Sequence, residues 1–231
     1  MNIDLHGFGP AMMAGTLMTV KLALCALLLG LVLGLLGALA KTSPLKPLQW
    51  LGGFYSTLVR GIPELLWVLL IYFGTVGLMN ALGEALHMPG LELSAFAAGV
   101  IALGLCFGAY ATEVFRGAIL AIPKGHREAG LALGMSKGRI LSRIILPQMW
   151  RIALPGLGNL FMILMKDTAL VSVIGLEEIM RHAQIGVTVT KQPFTFFMVA
   201  AFMYLGLTVL AMTSMHFLEK RAARGFARST Q

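Results

Sequence analysis

Pro123-Lys124-Gly125-His126-Arg127-Glu128-Ala129-Gly130-Leu131-Ala132-Leu133-Gly134-Met135-Ser136-Lys137-Gly138-Arg139-Ile140-Leu141-Ser142-Arg143-Ile144-Ile145-Leu146-Pro147 carries five Lys or Arg and stands between long apolar runs. Its pattern predicts two short helices. Ala129, Ala132 and Leu133 fall at i, i+3 and i+4 on one face. Gly134 suits the left-handed residue just after a helix end. Ser136 is placed to cap the next helix. Ile140, Leu141 and Ile144 give that helix an apolar side, and Pro147 predicts a break or kink before the next apolar run.

Outward from this segment the charges are sparse. Nineteen uncharged residues separate Lys21 from Lys41, and nineteen more separate Glu64 from Glu84. Twenty lie between Glu92 and Glu113, and 27 between Lys191 and Glu219. A helix needs about 20 residues to cross about 30 Å of hydrocarbon, so each run is long enough for one span. A fifth candidate is shorter: 14 uncharged residues separate Arg151 from Lys166. At about 1.5 Å per residue they reach roughly 21 Å. Apolar character resumes over Thr168 to Leu176, so a span here places Lys166 and Asp167 inside the membrane or at its edge. The expected spans are 14–40, 58–83, 93–116, 148–176 and 193–218, with the segment 123–147 as the loop between the third and fourth.

The basic residues supply the orientation. The stretch from Lys41 to Arg60 carries Lys41, Lys46 and Arg60. The stretch from Arg116 to Arg151 carries Arg116, Lys124, Arg127, Lys137, Arg139, Arg143 and Arg151. The tail carries Lys220, Arg221, Arg224 and Arg228. Together these hold 14 of the 18 basic residues. The alternate loops, 84–92 and 177–191, hold only Arg181 and Lys191. Basic loops remain cytoplasmic, so five spans place the N-terminus outside and the C-terminus inside. Four spans would put the tail and the 116–151 stretch on opposite sides.

Composition agrees. Apolar types make up 58% of the 231 residues and charged types 12%. Soluble domains run nearer about 45–50% and about 25%, so a soluble domain and a disordered chain are both excluded. The net charge of +8 therefore reports sidedness, not nucleic-acid binding. Cys25 and Cys106 each sit alone in an apolar run and read as small buried hydrophobes. His6, His87, His126, His182 and His216 show no metal-ligand spacing. No Lys or Arg precedes the first apolar run, unlike a cleaved signal peptide. No repeat of 20–50 residues is visible. Gly30, Gly34, Gly37, Gly99, Gly104 and Gly108 recur inside spans and read as close helix packing.

Three uses compete for the 123–147 segment: DNA binding, lying on the bilayer surface, or docking into a soluble partner. Tethering to spans at both ends argues against a DNA groove. The segment resembles the EAA loop of permease subunits of bacterial ABC importers. That loop reads Glu-Ala-Ala, three residues, Gly, nine residues, Ile, one residue, Leu-Pro. Here Glu128-Ala129, Gly134, Ile144 and Leu146-Pro147 stand at that spacing. Gly130 replaces the second Ala, which costs about 1 kcal/mol of helix stability. The resemblance extends over nearly the whole chain. Gly15-Thr16 and the small-residue first span fit the polar amino-acid permeases. Arg60-Gly61-Ile62-Pro63 with Leu70-Ile71-Tyr72-Phe73-Gly74 resembles their second span, and Lys166-Asp167-Thr168-Ala169-Leu170-Val171-Ser172-Val173-Ile174-Gly175 their fourth. Tyr110-Ala111-Thr112-Glu113-Val114-Phe115-Arg116-Gly117 with Pro123-Lys124-Gly125-His126 looks like the histidine, lysine, arginine, ornithine and opine branch.

The resemblance implies an all-α membrane protein forming a single transmembrane domain over 1–231. It implies five transmembrane helices, with a cytoplasmic coupling helix-turn-helix between spans 3 and 4. The implied function is the permease subunit of an importer for polar amino acids of basic type, in the bacterial inner membrane. Implied partners are a cytoplasmic ATPase dimer, a second permease subunit (the same chain or a related one), an extracytoplasmic substrate-binding protein, the amino acid and membrane lipid. Glu128, Ala129, Gly134, Ile144, Leu146 and Pro147 would carry the ATPase coupling, with Glu128 as a polar contact and Gly134 as the turn.

The chain has no phosphate-binding loop of its own. GxxxxGK[ST] is approached only at Lys41-Thr42, where Ala40 and Leu35 stand in place of both glycines. ATP and Mg are thus expected on the partner ATPase, with no cofactor, metal or catalytic residue on this chain. The alternative is a self-sufficient secondary transporter or channel, for which the 123–147 segment would have no purpose. A membrane-embedded enzyme would need a catalytic cluster.

Ionisable residues at membrane depth are functional candidates. Asp167 leads them. Lys166 is its neighbour, but adjacent helix residues point about 100° apart, so Asp167 needs a partner elsewhere: a cationic substrate or an Arg on another helix. Thr168 and Ser172 are candidate hydroxyls on the same path. Glu64 reads either as a helix-dipole acid or as part of an acidic lining. Glu113 pairs with Arg116 at i, i+3. Glu177 and Glu178 read as outer-mouth acids, solvated or facing a basic substrate or delivering protein.

Overall fold

The computed structural model describes residue 5 and residues 7–86 and 93–222, with side chains described outside 78–86. His6, His87, Glu92, Arg224 and Arg228, and the Glu84 side chain, lie outside the described residues. The described residues form nine α-helices: α1 (Gly9–Lys41), α2 (Lys46–Arg60), α3 (Glu64–Leu86), α4 (Ala95–Leu120), α5 (Lys124–Ala132), α6 (Lys137–Ile140), α7 (Leu146–Asp167), α8 (Ile179–Thr190) and α9 (Pro193–Ala222). No strand occurs among the described residues. Among them, four stretches are long and apolar enough to cross a membrane: α1, α4, Lys137–Ile174 and α9. The pair α2 and α3, bent by 102°, brings the number up to five if the pair is one span.

The centre of the fold is the α1–α4 contact, and small residues make it. Gly30, Gly34, Gly37 and Ala38 of α1 are buried at helical spacing, as are Gly104, Gly108, Ala111 and Thr112 of α4. A Cβ at Gly34 would stand 2.6 Å from the Ala111 Cβ and 3.2 Å from the Gly108 carbonyl oxygen. Close backbone approach is what small residues provide where lipid removes the hydrophobic drive between helices. Backbone cannot yield as a side-chain tip does. Gly34→Val is therefore expected to destabilise the subunit by about 1–3 kcal/mol, read as a lower melting temperature in detergent.

The second expected span starts late. The helix begins at Glu64, and residues 58–60 belong to α2 across the bend. The basic stretch from Lys41 to Arg60, expected as loop, is mostly helix. Gly52, Ser56 and Val59 form its buried face, at i, i+4 and i+7, with Trp50, Phe54 and Leu58 outside. The stretch expected as the 177–191 loop likewise contains α8, whose Ile179 and Ala183 join Met12 of α1 and Phe196 of α9 in one buried cluster.

Around 123–147 the two helices and the turn are present. Gly134 has φ +71°. Its N–H donates to the Leu131 carbonyl at 2.9 Å, and the Met135 N–H donates to the Gly130 carbonyl at 3.0 Å. These two bonds are the Schellman pattern. Ser136 sits at the head of α6, but its side chain makes no capping bond. Gly134-Met135-Ser136-Lys137-Gly138 also spells G-x-S-x-G, but a nucleophile elbow needs a strand before the turn, and here a helix precedes it.

Pro147 does not break the chain. A π-turn over Leu141–Ile145 precedes it, and helix continues from α6 into α7. The π-turn shifts the hydrogen-bond ladder by one residue. Pro147 then falls in the first turn of α7, where its missing N–H is tolerated. The expected 148–176 span is thus part of a longer rod that starts at Lys137. It ends in a 3₁₀ segment, Thr168–Ile174, closed by Gly175 at φ +91°. Gly130 is buried, and a Cβ there would stand 2.9 Å from Ile140 Cγ1. The glycine seats α5 on α6, where loss of helix propensity had been its expected effect.

The basic segments gather at one end of the bundle. Lys41, Arg60 and Arg116 surround Glu113. Arg127 and Lys137 line a cavity with Thr42, Ser43 and Pro44. Arg151 and Lys220 line another. At the other end, the Phe8 and Phe196 rings meet edge-on at 5.5 Å.

Candidate functional site

A cavity of about 190 Å³ lies between α3, α4 and α7. Leu103, Phe107, Leu160, Ile163 and Leu164 form apolar walls, and Glu64, Cys106, Tyr110 and Asp167 supply the polar groups. Asp167 is the last residue of α7. It is half-buried, whereas Lys166 is exposed, so the neighbours diverge as helix geometry requires. Asp167 makes no ion pair or hydrogen bond among the described residues. Glu64 is in the first turn of α3, where the helix dipole favours an acid. It also faces the cavity and accepts a hydrogen bond from the Tyr110 hydroxyl at 3.2 Å. Glu64 thus stands both at a helix start and in the cavity wall.

Thr168 and Ser172 do not line this cavity. Both are buried, and their hydroxyls donate to the Met165 and Ala169 carbonyls at 2.7 Å each. The tightening of the helix to 3₁₀ after Asp167 turns them onto their own backbone. Tyr110 and Arg60 were missed as site residues. The available signal was the α4 spacing of Leu103, Cys106, Phe107 and Tyr110, which continues to Glu113 and Arg116.

Glu113 accepts from Lys41 Nζ at 2.5 Å, Arg116 Nε at 2.9 Å and the Ser56 hydroxyl at 3.1 Å. Arg60 Nη1 is 3.9 Å away. The expected Glu113–Arg116 pair is thus one arm of a cluster joining α1, α2 and α4.

Of the two outer-mouth acids, Glu177 is exposed and Glu178 is fully buried. Glu178 caps α8 by accepting from the Arg181 N–H at 2.8 Å, and it accepts from the Tyr204 hydroxyl at 2.5 Å. Burial raises its carboxyl above the ordinary range, against the lowering effect of those bonds. It is neither solvated nor open to a substrate, and it ties α8 to α9. Cys106 is buried, but Cys25 is exposed on α1, so only one cysteine follows the buried reading. No cluster of metal-ligating residues occurs among the described residues.

In the 123–147 segment, Glu128, Ala129 and Pro147 are exposed, and Ile144 and Leu146 are half-buried. Leu131 and Leu133 are 50% and 81% exposed. The segment thus exposes Glu128 and Leu131 at i, i+3 on α5 and Leu133 at its C-cap, with Gly130 seated on Ile140 and Ile144.

Known proteins place this architecture. The family model for the binding-protein-dependent transport system inner membrane component matches residues 26–224. The chain is 44% identical to the octopine transport system permease protein OccQ of Rhizobium meliloti, over 98% of each chain. It is 39% identical to the histidine/lysine/arginine/ornithine transport system permease protein HisQ of Escherichia coli K12, over 97% of this chain and 99% of that one. In structure it resembles an amino acid ABC transporter crystallised with histidines, at TM-score 0.80 and 33% identity, covering 96% of this chain and 100% of that one. The chain belongs to the family of inner membrane components of binding-protein-dependent transport systems.

Proposed function

We propose that the chain is the permease subunit of an ATP-driven importer whose substrates are basic amino acids. The observation that carries this reading is the cavity: two carboxylates, Glu64 and Asp167, set together in apolar walls. Two acids close together at membrane depth are costly. A substrate with an aliphatic stem and a cationic end supplies both the apolar contact and the missing charge. The relatives named for octopine and for histidine, lysine, arginine and ornithine support the same class.

Two copies of this chain, or one with a related chain, enclose the path. An extracytoplasmic binding protein delivers substrate, and a separate ATPase dimer holding ATP and Mg docks on Glu128, Leu131 and Leu133. The basic end of the bundle faces the cytoplasm, with the N-terminus outside. The exposed α5 face supports this reading over a self-sufficient transporter or channel, which would leave that face without a role. The test is uptake of labelled arginine by the reconstituted complex with unlabelled competitors. Lysine, ornithine and histidine are expected to compete and glutamine to compete weakly. Equal competition by glutamine would show that the acids do not select charge.

A further inference from the structure

One wall of the cavity and the basic cluster share one stripe of α4. Leu103, Cys106, Phe107 and Tyr110 line the cavity, and Glu113 and Arg116 continue at the same i, i+3 step. Arg60 bridges the two regions. Its guanidinium carbon lies 5.3 Å from the centroid of the Tyr110 ring, and its Nη1 lies 3.9 Å from Glu113 Oε1. The Tyr110 hydroxyl meanwhile donates to Glu64. Tyr110 is therefore a partition, with an acid of the cavity at its hydroxyl and a cation on its ring face. Beyond it, Lys41, Arg60 and Arg116 share the single carboxylate of Glu113. A cation in the cavity has two acids around it and a net positive field toward the C-terminal end of α4.

We infer that Arg60 is a specificity-determining residue for transport. It is the movable part of a positive barrier that retains a basic substrate in the Glu64 and Asp167 cavity. The barrier opens toward the C-terminal end of α4 when the joint between α2 and α3 moves. The inference rests on the basic-substrate reading of the cavity. Arg60 is singled out from its neighbours by its tethers. Lys41 is hydrogen-bonded to both Ser56 and Glu113, and Arg116 is on the same helix as Glu113. Arg60 has the longest contact to Glu113 and is the last residue of α2, directly at the 102° bend. Any change in that bend draws its guanidinium off Tyr110. Arginine suits the position because its planar head stacks on an aromatic face and keeps its charge.

The experiment uses proteoliposomes holding the complete complex of permease and ATPase, loaded with labelled arginine or with labelled glutamine, without ATP. Arg60→Gln is expected to release arginine on the order of tenfold faster than the unmodified complex, with glutamine release changed by less than about twofold. Arg60→Lys keeps the charge and is expected to hold arginine nearly as the unmodified complex does. If Arg60→Gln does not assemble, Arg60→Met, which keeps an apolar stem on Tyr110, takes its place. Equal acceleration of both amino acids, or unchanged arginine release, overturns the barrier. Arginine uptake by Glu64→Gln in the same vesicles separates the two ideas. Normal uptake there overturns the cavity reading and the barrier with it. Impaired uptake there, with arginine release by Arg60→Gln unchanged, overturns the barrier alone.

Discussion

Glu128→Arg is expected to reduce amino-acid uptake to background while the subunit still inserts in the membrane. Glu128 is exposed on α5, so the substitution leaves the core untouched, and surface changes of that kind move stability by less than about 0.5 kcal/mol. Its effect falls on the partner. Reversing a charge in a desolvated contact costs about 2–5 kcal/mol, enough to remove most coupling to the ATPase. The route from this contact to the transport path is short. Gly130 seats α5 on Ile140 and Ile144, and the rod that carries those isoleucines runs on to Asp167. Motion imposed on α5 is therefore expected to pass through this packing to the helix that ends in the cavity. The measurements are membrane fractionation, ATP hydrolysis and uptake by the reconstituted complex. Unchanged uptake would remove Glu128 from the coupling role. Glu128→Ala, lacking the repulsion, is expected to be milder.

The long spans were legible because charge is costly in hydrocarbon: gaps of about 20 residues mark membrane crossings whatever the packing. The turn at Gly134 was legible because a left-handed residue after a helix favours glycine. Other features were hidden by rules that outweigh pattern. Lys41, Lys46 and Arg60 made 41–60 look like a loop, although Gly52, Ser56 and Val59 already had helical spacing. Pro147 looked like a break because the π-turn that accommodates it has no sequence signal. Glu177 and Glu178 were indistinguishable as neighbours. Which of them turns inward depends on Tyr204, 26 residues further along. At the cavity, Glu64 and Asp167 were visible as isolated acids in apolar runs. Their convergence required the packing of α3 and α7 on α4. Thr168 and Ser172 fall outside this cavity, where the helix tightens immediately after Asp167, a local change of pitch that periodicity cannot register.

Asp167→Asn is expected to impair arginine transport far more than basal ATP hydrolysis. The substitution is nearly isosteric, so the walls around the site keep their shape. What it removes is one negative charge from a half-buried position in the cavity wall. A charge pair about 4 Å apart is worth about 4 kcal/mol at an effective dielectric of about 20, and measured truncations of buried pairs give about 2–5 kcal/mol. The lower end of that range is already a loss of roughly 30-fold, expected in the KM for arginine. Asp167→Glu keeps the charge and is expected to retain part of the transport, since only its reach changes. Neutral amino acids lack the cationic side chain, so their residual transport is expected to fall less than that of arginine. Basal hydrolysis by the ATPase does not pass through this cavity and is expected to stay near that of the unmodified complex. If arginine transport and basal hydrolysis fall together, Asp167 holds the rod in place and the substrate reading of the cavity is wrong.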